Sequence, residues 1–191
     1  MFGSQFYHQS LRRYIIMFGN MFNYIVVRRY DANGNNIQAG AVPLAYGPKE
    51  KFLVRISQDP NLDQQVAMQL PRLGFEMTTL NYDGTRRLQG LNRNVKVTTD
   101  EDKLDFNYAP VPYDFNFSLS VYVRNTEDGT QIVEQILPFF TPDFTVTVNV
   151  NPKLDQKYDL PIILNSVNTT TDYEGSMGDG TTRLIVWDLE F

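Results

Sequence analysis

The alternation of apolar and polar positions is clearest in residues 111–123. The odd-numbered positions there are apolar or aromatic, and polar residues separate them as far as Ser120. Alternation at every second residue is typical of a strand with one buried and one solvated face, as antiparallel sheets allow. The sequence therefore predicts a long antiparallel strand, with Phe117 in the core and Ser118 on the wet face.

Three segments show helical spacing instead. From Tyr7 to Ile25 apolar residues recur at three- and four-residue intervals, which predicts a helix with Arg12, Arg13 and Asn20 facing solvent. Shorter helices are predicted within 47–60, where Pro48 suits a first turn, and within 129–140. The inward face of the last helix is expected to consist of Ile132, Val133, Ile136 and Leu137.

Further strands are expected on both sides of the predicted 111–123 strand. Asn33–Gly34 lies between two β-prone runs and predicts a hairpin turn, because both residues tolerate positive φ. Residues 65–83 look extended, and their alternation changes phase near Thr79, which indicates a bulge or a strand end. Additional strands are predicted at 143–150, about 158–167 and 183–191.

Two polar segments, 83–110 and 168–182, lack a clear period and are predicted to be long loops. Loops beyond roughly 12–15 residues are uncommon in compact domains unless they are functional or disordered. No linker or repeat divides the 191 residues. We therefore predict one domain over 1–191, of the α+β class, with a predominantly antiparallel β-sheet and packed helices.

The residues that carry most enzyme chemistry are scarce. His8 is the only histidine and there is no cysteine, so thiolate nucleophiles, disulfides and zinc–thiolate sites are excluded. The acids Asp100, Glu101 and Asp102 form a run that is typical of a solvated surface. We predict no catalytic, metal or cofactor site and no enzymatic activity. The alternative is a ligand-binding module or hydrolase whose loops 83–110 and 168–182 surround a ligand.

Charge and hydropathy also limit the partners. A net charge of −5 argues against general binding to duplex DNA, which needs clustered cations. The apolar stretch 11–27 is interrupted by Asn20 and Asn23 and is too short to span a bilayer. We interpret it as a core helix, and we expect no membrane partner.

Several separated runs, in the same order, resemble one family. They are "MFGSQFYHQSLRRYIIMFGNMF", "VPLAYGPKEKFL", "QLPRLGFEM", "DGTQIVEQILPFFTPDFTVTVN", "LPIILNSV" and "RLIVWDLEF". Together they are similar to the tail sheath stabiliser and completion protein of T4-like contractile-tailed bacteriophages. Residues 83–110 and 168–182 match the family pattern poorly, and the family typically continues beyond the position of Phe191.

The resemblance implies a fold like that of phage tail terminators and a structural role in the virion. It implies a homohexameric ring that caps the finished tail at its head-proximal end, after assembly in the host cytoplasm. The implied partners are the tail sheath protein, the tail tube or its terminator, and the neck proteins of the head. DNA would pass through the ring without sequence-specific binding.

A closed ring needs each subunit to present two different surfaces that meet at a fixed rotation. In segment 83–110 the basic residues precede the acidic ones, and this separation of sign suits a head-to-tail contact. The same segment would otherwise be a solvated loop without a partner. The candidate interface residues are Arg86, Arg87, Arg93, Lys96, Asp100, Glu101, Asp102, Phe139 and Phe140, together with the outward side chains of strand 143–150.

Overall fold

A computed structural model of the chain describes residues 7–30, 36–57, 69–97, 104–151, 156–174 and 182–191. Three α-helices lie within these residues: α1 (Ser10–Met21), α2 (Lys49–Ser57) and α3 (Thr126–Ile136). The strands are β1 (Val26–Tyr30), β2 (Asn36–Ala41), β3 (Leu44–Tyr46), β4 (Arg72–Tyr82), β5 (Arg93–Val97), β6 (Leu104–Tyr108), β7 (Tyr113–Val123), β8 (Asp143–Asn151), β9 (Gln156–Ile163), β10 (Ser166–Glu174) and β11 (Thr182–Glu190).

A five-stranded sheet in the order β10–β11–β7–β4–β3 forms the centre of the fold. Its pairs are antiparallel except β3 with β4, which run parallel. Three two-stranded antiparallel sheets stand beside it, formed by β1–β2, β5–β6 and β8–β9. The predicted α+β class with mainly antiparallel pairing is confirmed.

The main core lies between one face of the central sheet and the helices α1 and α3. Phe18 of α1 stacks on Phe117 of β7 at a centroid distance of 4.3 Å and touches Phe75 and Phe191. The odd residues of β7 from Phe117 onward are buried, as the alternation predicted. Val111 before the strand and Tyr113 at its start are exposed, and Phe115 is half-buried, so the burial predicted for the odd residues of 111–123 is wrong at this end.

The opposite face of β7 is not uniformly wet, which corrects the sequence-based expectation. Helix α2 covers its C-terminal half, and the Phe52 and Tyr122 rings lie 5.5 Å apart between the helix and the sheet. Ser120 is buried there and donates a hydrogen bond to Asp188 at 2.6 Å. Ser118 is half-buried and bonds to Glu190. The strand period shows that two faces exist, but the packing of α2 decides that both are covered.

The predicted phase change near Thr79 is confirmed. The register between β4 and β7 shifts between Met77 and Thr79. An extra residue in one strand breaks the pairing locally and bends the strand. Leu73 and Phe75 before the shift are buried, whereas Leu80 beyond it is exposed.

Helix α3 carries the buried face that its spacing predicted. Ile132, Val133 and Ile136 are buried, but Leu137 is 40% exposed and lies where a 3-10 turn (Leu137–Phe139) replaces the α-helix. The burial expected for Leu137 is therefore wrong. The N-terminal helix ends at Met21, before the predicted Ile25. Phe18 in the helix and Phe22 and Ile25 after it are buried as expected, but Tyr7 and Leu11 are exposed, because the helix meets the central sheet through its C-terminal half.

Two glutamines of α3 bind the backbone of β1 as a neighbouring strand would. Gln131 accepts a bond from the Arg28 amide at 2.8 Å and donates to the Arg28 carbonyl at 3.0 Å. Gln135 makes the same pair of contacts with Val26 at 3.4 and 2.9 Å. Four helical residues rise about 6 Å, close to the span of two strand residues, so the spacings match. The exposed edge of β1 is thereby satisfied.

The two segments predicted as long loops contain strands. Segment 83–110 holds the β5–β6 hairpin, and the first part of 168–182, as far as Glu174, belongs to β10, which pairs with β11 along its whole length. The strand expected at about 158–167 is two strands, because the chain leaves the β8–β9 pair at Leu164 and joins the central sheet at Ser166. The Asn33–Gly34 turn lies outside the described residues, although β1 and β2 on either side of it pair antiparallel.

Candidate assembly surfaces

The β5–β6 hairpin exposes an apolar face. Arg93 lies opposite Tyr108 and Val95 opposite Phe106, so these side chains and Leu104 share one side of the hairpin. Val95, Leu104, Phe106 and Tyr108 are each 53–64% exposed. The other side is polar, with Asn94 opposite Asn107 and Lys96 opposite Asp105. We call the first side the hairpin face (Arg93, Val95, Leu104, Phe106 and Tyr108).

A basic group is held on this hairpin face. The Arg93 guanidinium lies 5.3 Å from the Phe106 ring centroid and 5.1 Å from that of Tyr108. Attraction to the ring faces orients the cation and keeps it beside the aromatic surface. Lys96 is on the opposite, polar side of the same hairpin. The structure therefore separates two basic residues that the sequence grouped together.

Arg86 is engaged within its own chain. Its guanidinium forms ion pairs with Asp83 and Asp114, and the pKa of Arg86 is raised, chiefly by the hydrogen bond to Asp83. The Thr85 hydroxyl, Arg86 and the Thr85 amide lower the pKa of Asp83 from 3.8 to about 2. Arg87 is exposed next to this cluster. The acidic candidates Asp100, Glu101 and Asp102 lie outside the described residues.

The two candidate phenylalanines have different surroundings. Phe140 is half-buried, and its ring contacts Phe191 at 5.1 Å and Phe144 at 6.1 Å. Phe139, in the 3-10 turn, is 64% exposed. Phe140 thus belongs mainly to the core edge, whereas Phe139 presents an aromatic ring to the surroundings.

A groove of about 710 Å³ runs between α1 and β8. On the helix side its lining residues recur at helical spacing, and on the strand side they are consecutive. They are Arg13, Ile16, Met17, Asn20 and Met21 from α1, and Phe144, Thr145, Val146, Thr147, Val148 and Asn149 from β8. Because β9 pairs with one side of β8 and no other described strand pairs with it, the groove follows the second edge of β8. We call it the α1–β8 groove.

Apart from Arg93 and the outward side chains of strand 143–150, neither the hairpin face nor the α1–β8 groove was predicted from the sequence. The hairpin strands β5 and β6 have only five residues each. Their apolar residues Val95, Phe106 and Tyr108 alternate with Lys, Asn and Asp, residue types that are depleted in strands. The alternation in "RNVKV" and "LDFNY" was the available signal. The groove joins residues more than a hundred positions apart, so no local pattern could indicate it.

The described part of the chain also bears on metal and membrane sites. No group of three or more histidine and acidic residues there is placed to hold a metal ion. None of the helices among those residues is both long enough and apolar enough to cross a membrane. His8 is exposed just before α1.

Exposed apolar patches rimmed by polar residues are typical of protein–protein contact sites. The fold and these two surfaces define an α+β protein that acts through contacts with other proteins. Residues 5–191 match the family described as the T4-like virus Myoviridae tail sheath stabiliser, and the chain belongs to this family. It is also 30% identical, over 198 aligned residues, to the tail completion protein gp15 of Enterobacteria phage T4; the alignment covers 100% of this chain and 71% of that protein.

The family match identifies the chain as a structural phage tail protein, and such a protein is a component of the virion. The matched range includes 83–110 and 168–182, the two segments whose sequences resemble the family least.

Proposed function

We propose that this protein completes the contractile tail as a ring of six identical subunits at its head-proximal end. The ring binds the last sheath subunits and the end of the tail tube or its terminator, and it holds the sheath in its assembled length. Its outer side offers a platform to the neck proteins of the head, and DNA passes through its centre. Assembly takes place in the host cytoplasm.

The family match over residues 5–191 carries this proposal. A stabiliser of the sheath must contact sheath subunits, and a tail completion protein, as the phage T4 relative is named, acts at the end of tail assembly. The hairpin face and the exposed ring of Phe139 supply apolar contact surface on this chain. Arg87 and Arg93 add exposed positive charge that would set the orientation of an acidic neighbour more than the strength of binding.

The proposed role needs no catalysis. The two segments that were to surround a ligand in the alternative, a ligand-binding module or hydrolase, contain the strands β5, β6 and part of β10 within the described residues. An assay of ester, glycoside and phosphoester substrates should therefore give no turnover above a buffer control. Turnover that is lost on changing an acid between Asp100 and Asp105 would favour the alternative.

The proposal is tested on tails assembled without this protein. We expect their sheaths to lose ordered length on storage and to keep it after the purified protein is added, with six-fold rings at one end in negative-stain images. An equal amount of an unrelated acidic protein is the control. Sheaths that are equally stable with and without the protein, or protein bound along the sheath with no ring at its end, would contradict the proposal.

A further inference from the structure

The two-stranded sheets β5–β6 and β8–β9 each have a strand edge that could pair with the other. A two-stranded hairpin is marginally stable alone, and three or more strands are generally needed for an independent sheet. β5–β6 contacts its own body through a 3.4 Å hydrogen bond from Asn107 of β6 to Gln156 of β9. All the described side chains of β5, from Arg93 to Lys96, are exposed. β5 is therefore the strand of this hairpin that is available to a partner.

The α1–β8 groove has the geometry of a site for one added strand. Its strand side consists of consecutive residues of β8, as expected where a strand edge rather than a strand face lines the groove. Six residues at about 3.3 Å each give a length of roughly 20 Å, enough for the five residues of β5. Ile16, Met17 and Met21 are the apolar residues of α1 opposite that edge, and Arg13 and Asn20 line the same side of the groove.

The alternation of apolar and polar side chains in β5 is compatible with that in β8. In β8 the half-buried Phe144, Val146 and Val148 alternate with the exposed Thr145 and Thr147. A strand added beside β8 continues both of its faces. With Val95 on the α1 side, β5 would extend the apolar face, and Asn94 and Lys96 would extend the threonine face.

Charge on the threonine face is compatible with this arrangement. That face carries the exposed Asp143 in β8, and the exposed Asp159 and Lys157 in β9. Lys96 on the polar side of β5 would come to lie on this face. Its neighbouring strand would be β8, so Asp143 is the acid that could pair with it favourably.

From these observations we propose that β5 of one copy of this protein docks along β8 in the α1–β8 groove of the next copy. The β5–β6 and β8–β9 hairpins then form one four-stranded sheet shared by two subunits. The two contacting surfaces differ and both belong to one chain, so the contact is head-to-tail and can close into a ring. This inference rests on the proposed ring and specifies which surfaces join its subunits.

Cysteine pairs test the contact directly, because the natural chain contains no cysteine. Asn94 or Lys96 is changed to Cys together with Thr145 or Thr147, so that all four combinations sample the possible registers. On mild oxidation of assembled rings, at least one pair should give a ladder of covalent dimers up to hexamers. Each single-cysteine variant is the control and can give dimers at most. Rings that yield only monomers with all four pairs would overturn the proposal.

Matched substitutions test each side of the contact separately. Phe106→Glu and Leu88→Glu both replace an exposed apolar side chain by a carboxylate, at 54% and 51% exposed positions, but only Phe106 lies on the hairpin face. Ile16→Lys and Leu11→Lys both add one positive charge to α1 at 49% and 48% exposed positions, but only Ile16 lines the groove. We expect Phe106→Glu and Ile16→Lys to raise the concentration needed for ring formation by about tenfold or more, and the two controls to change it little.

The outcomes separate this inference from the proposed function. The proposed function would stand and the shared sheet would be overturned by three results together. The wild-type protein would preserve sheaths as rings, the cysteine pairs would give no ladder of covalent oligomers, and Phe106→Glu and Ile16→Lys would form normal rings. Wild-type protein that forms no rings on tails would overturn both. Circular dichroism of the four point variants checks that each remains folded, and loss of rings by a folded Phe106→Glu variant supports the inference.

Discussion

At the scale of single residues, Asp83 shows how a carboxyl group at the surface can be perturbed by its nearest neighbours. Its pKa falls from 3.8 to about 2, first because the Thr85 hydroxyl donates to it and then because Arg86 does. Since the folded state holds the proton less tightly than the unfolded state, the contribution of Asp83 to stability is present above about pH 4. It is lost as the pH falls through about 2.

Thr85→Val should therefore raise the pKa of Asp83 towards 3.8, because the largest cause of the shift is removed. The carboxyl carbon shift of Asp83, followed by NMR during an acid titration, measures the change. Thr130→Val is the control, since the Thr130 hydroxyl bonds to the Glu127 carbonyl and not to Asp83. An unchanged midpoint in Thr85→Val would mean that Arg86 and the Thr85 amide set the pKa without the hydroxyl.

Gly129 in α3 is required by a close approach of two side chains. A Cβ atom at this position would lie 2.6 Å from Trp187 Nε1 and 3.1 Å from a Val123 methyl group. Replacing Gly by Ala in a helix otherwise gains about 1 kcal/mol, whereas overpacking costs about 1–3 kcal/mol. We expect Gly129→Ala to lower the free energy of unfolding by about 1–2 kcal/mol in urea titrations. Gly90→Ala, where nothing lies within 4 Å, should change it by less than about 0.5 kcal/mol.

At the scale of elements, α3 completes β1 through side chains instead of a backbone strand. Gln131→Ala and Gln135→Ala should each remove two hydrogen bonds to the β1 backbone. We expect hydrogen exchange at the Arg28 amide to accelerate in Gln131→Ala, and exchange at the Val26 amide to accelerate in Gln135→Ala. Glu134→Ala, at an exposed position of the same helix, should alter neither rate.

Strand β7 is covered on both faces in its C-terminal half, and this determines its response to mutation. Phe117 packs under α1, and Tyr122 packs under α2. We expect Phe117→Ala and Tyr122→Ala each to cost about 3–5 kcal/mol in chemical denaturation, because both side chains are buried. Ser118→Ala, which loses one partly exposed hydrogen bond, should cost about 1 kcal/mol or less. A small loss for Tyr122→Ala would show that α2 does not cover this face in solution.

At the scale of the whole molecule, two adjacent phenylalanines distinguish folding from assembly. Phe140→Ala removes a ring that packs on Phe191 and Phe144, so it should lower the melting temperature of the monomer. Phe139→Ala should leave that temperature unchanged and weaken binding to sheath or to a neighbouring subunit, since the ring is mostly exposed. Thermal melts and co-sedimentation with sheath measure the two effects. Unchanged co-sedimentation in Phe139→Ala would remove this residue from the interface.

Arg86 and Arg87 also differ in whether they can report on assembly. Reversing Arg86 to Glu would place a third carboxylate beside Asp83 and Asp114, so any effect on assembly would be mixed with a change in the local turn. Arg87 takes no part in the ion pairs with Asp83 and Asp114, so it is the better probe of a contact between subunits. The sequence could not separate them, because adjacent arginines look alike until their carboxylate neighbours are known.

The sequence by itself determined the class of fold, the period of β7, the bulge near Thr79 and the buried face of α3. These features depend on interactions between near neighbours and on one face of each element, which local alternation records. It also indicated the family, because several separated runs keep their order along the chain.

Only the tertiary structure decided that α2 buries Ser120 and Tyr122, that Phe140 faces the core while Phe139 does not, and that β5–β6 is a hairpin with an apolar outer face. It also brought Ile16 and Val146 together across the α1–β8 groove. Which face of an element is covered depends on what packs against it from a distant part of the chain. Local periodicity reports that two faces exist but does not report their neighbours.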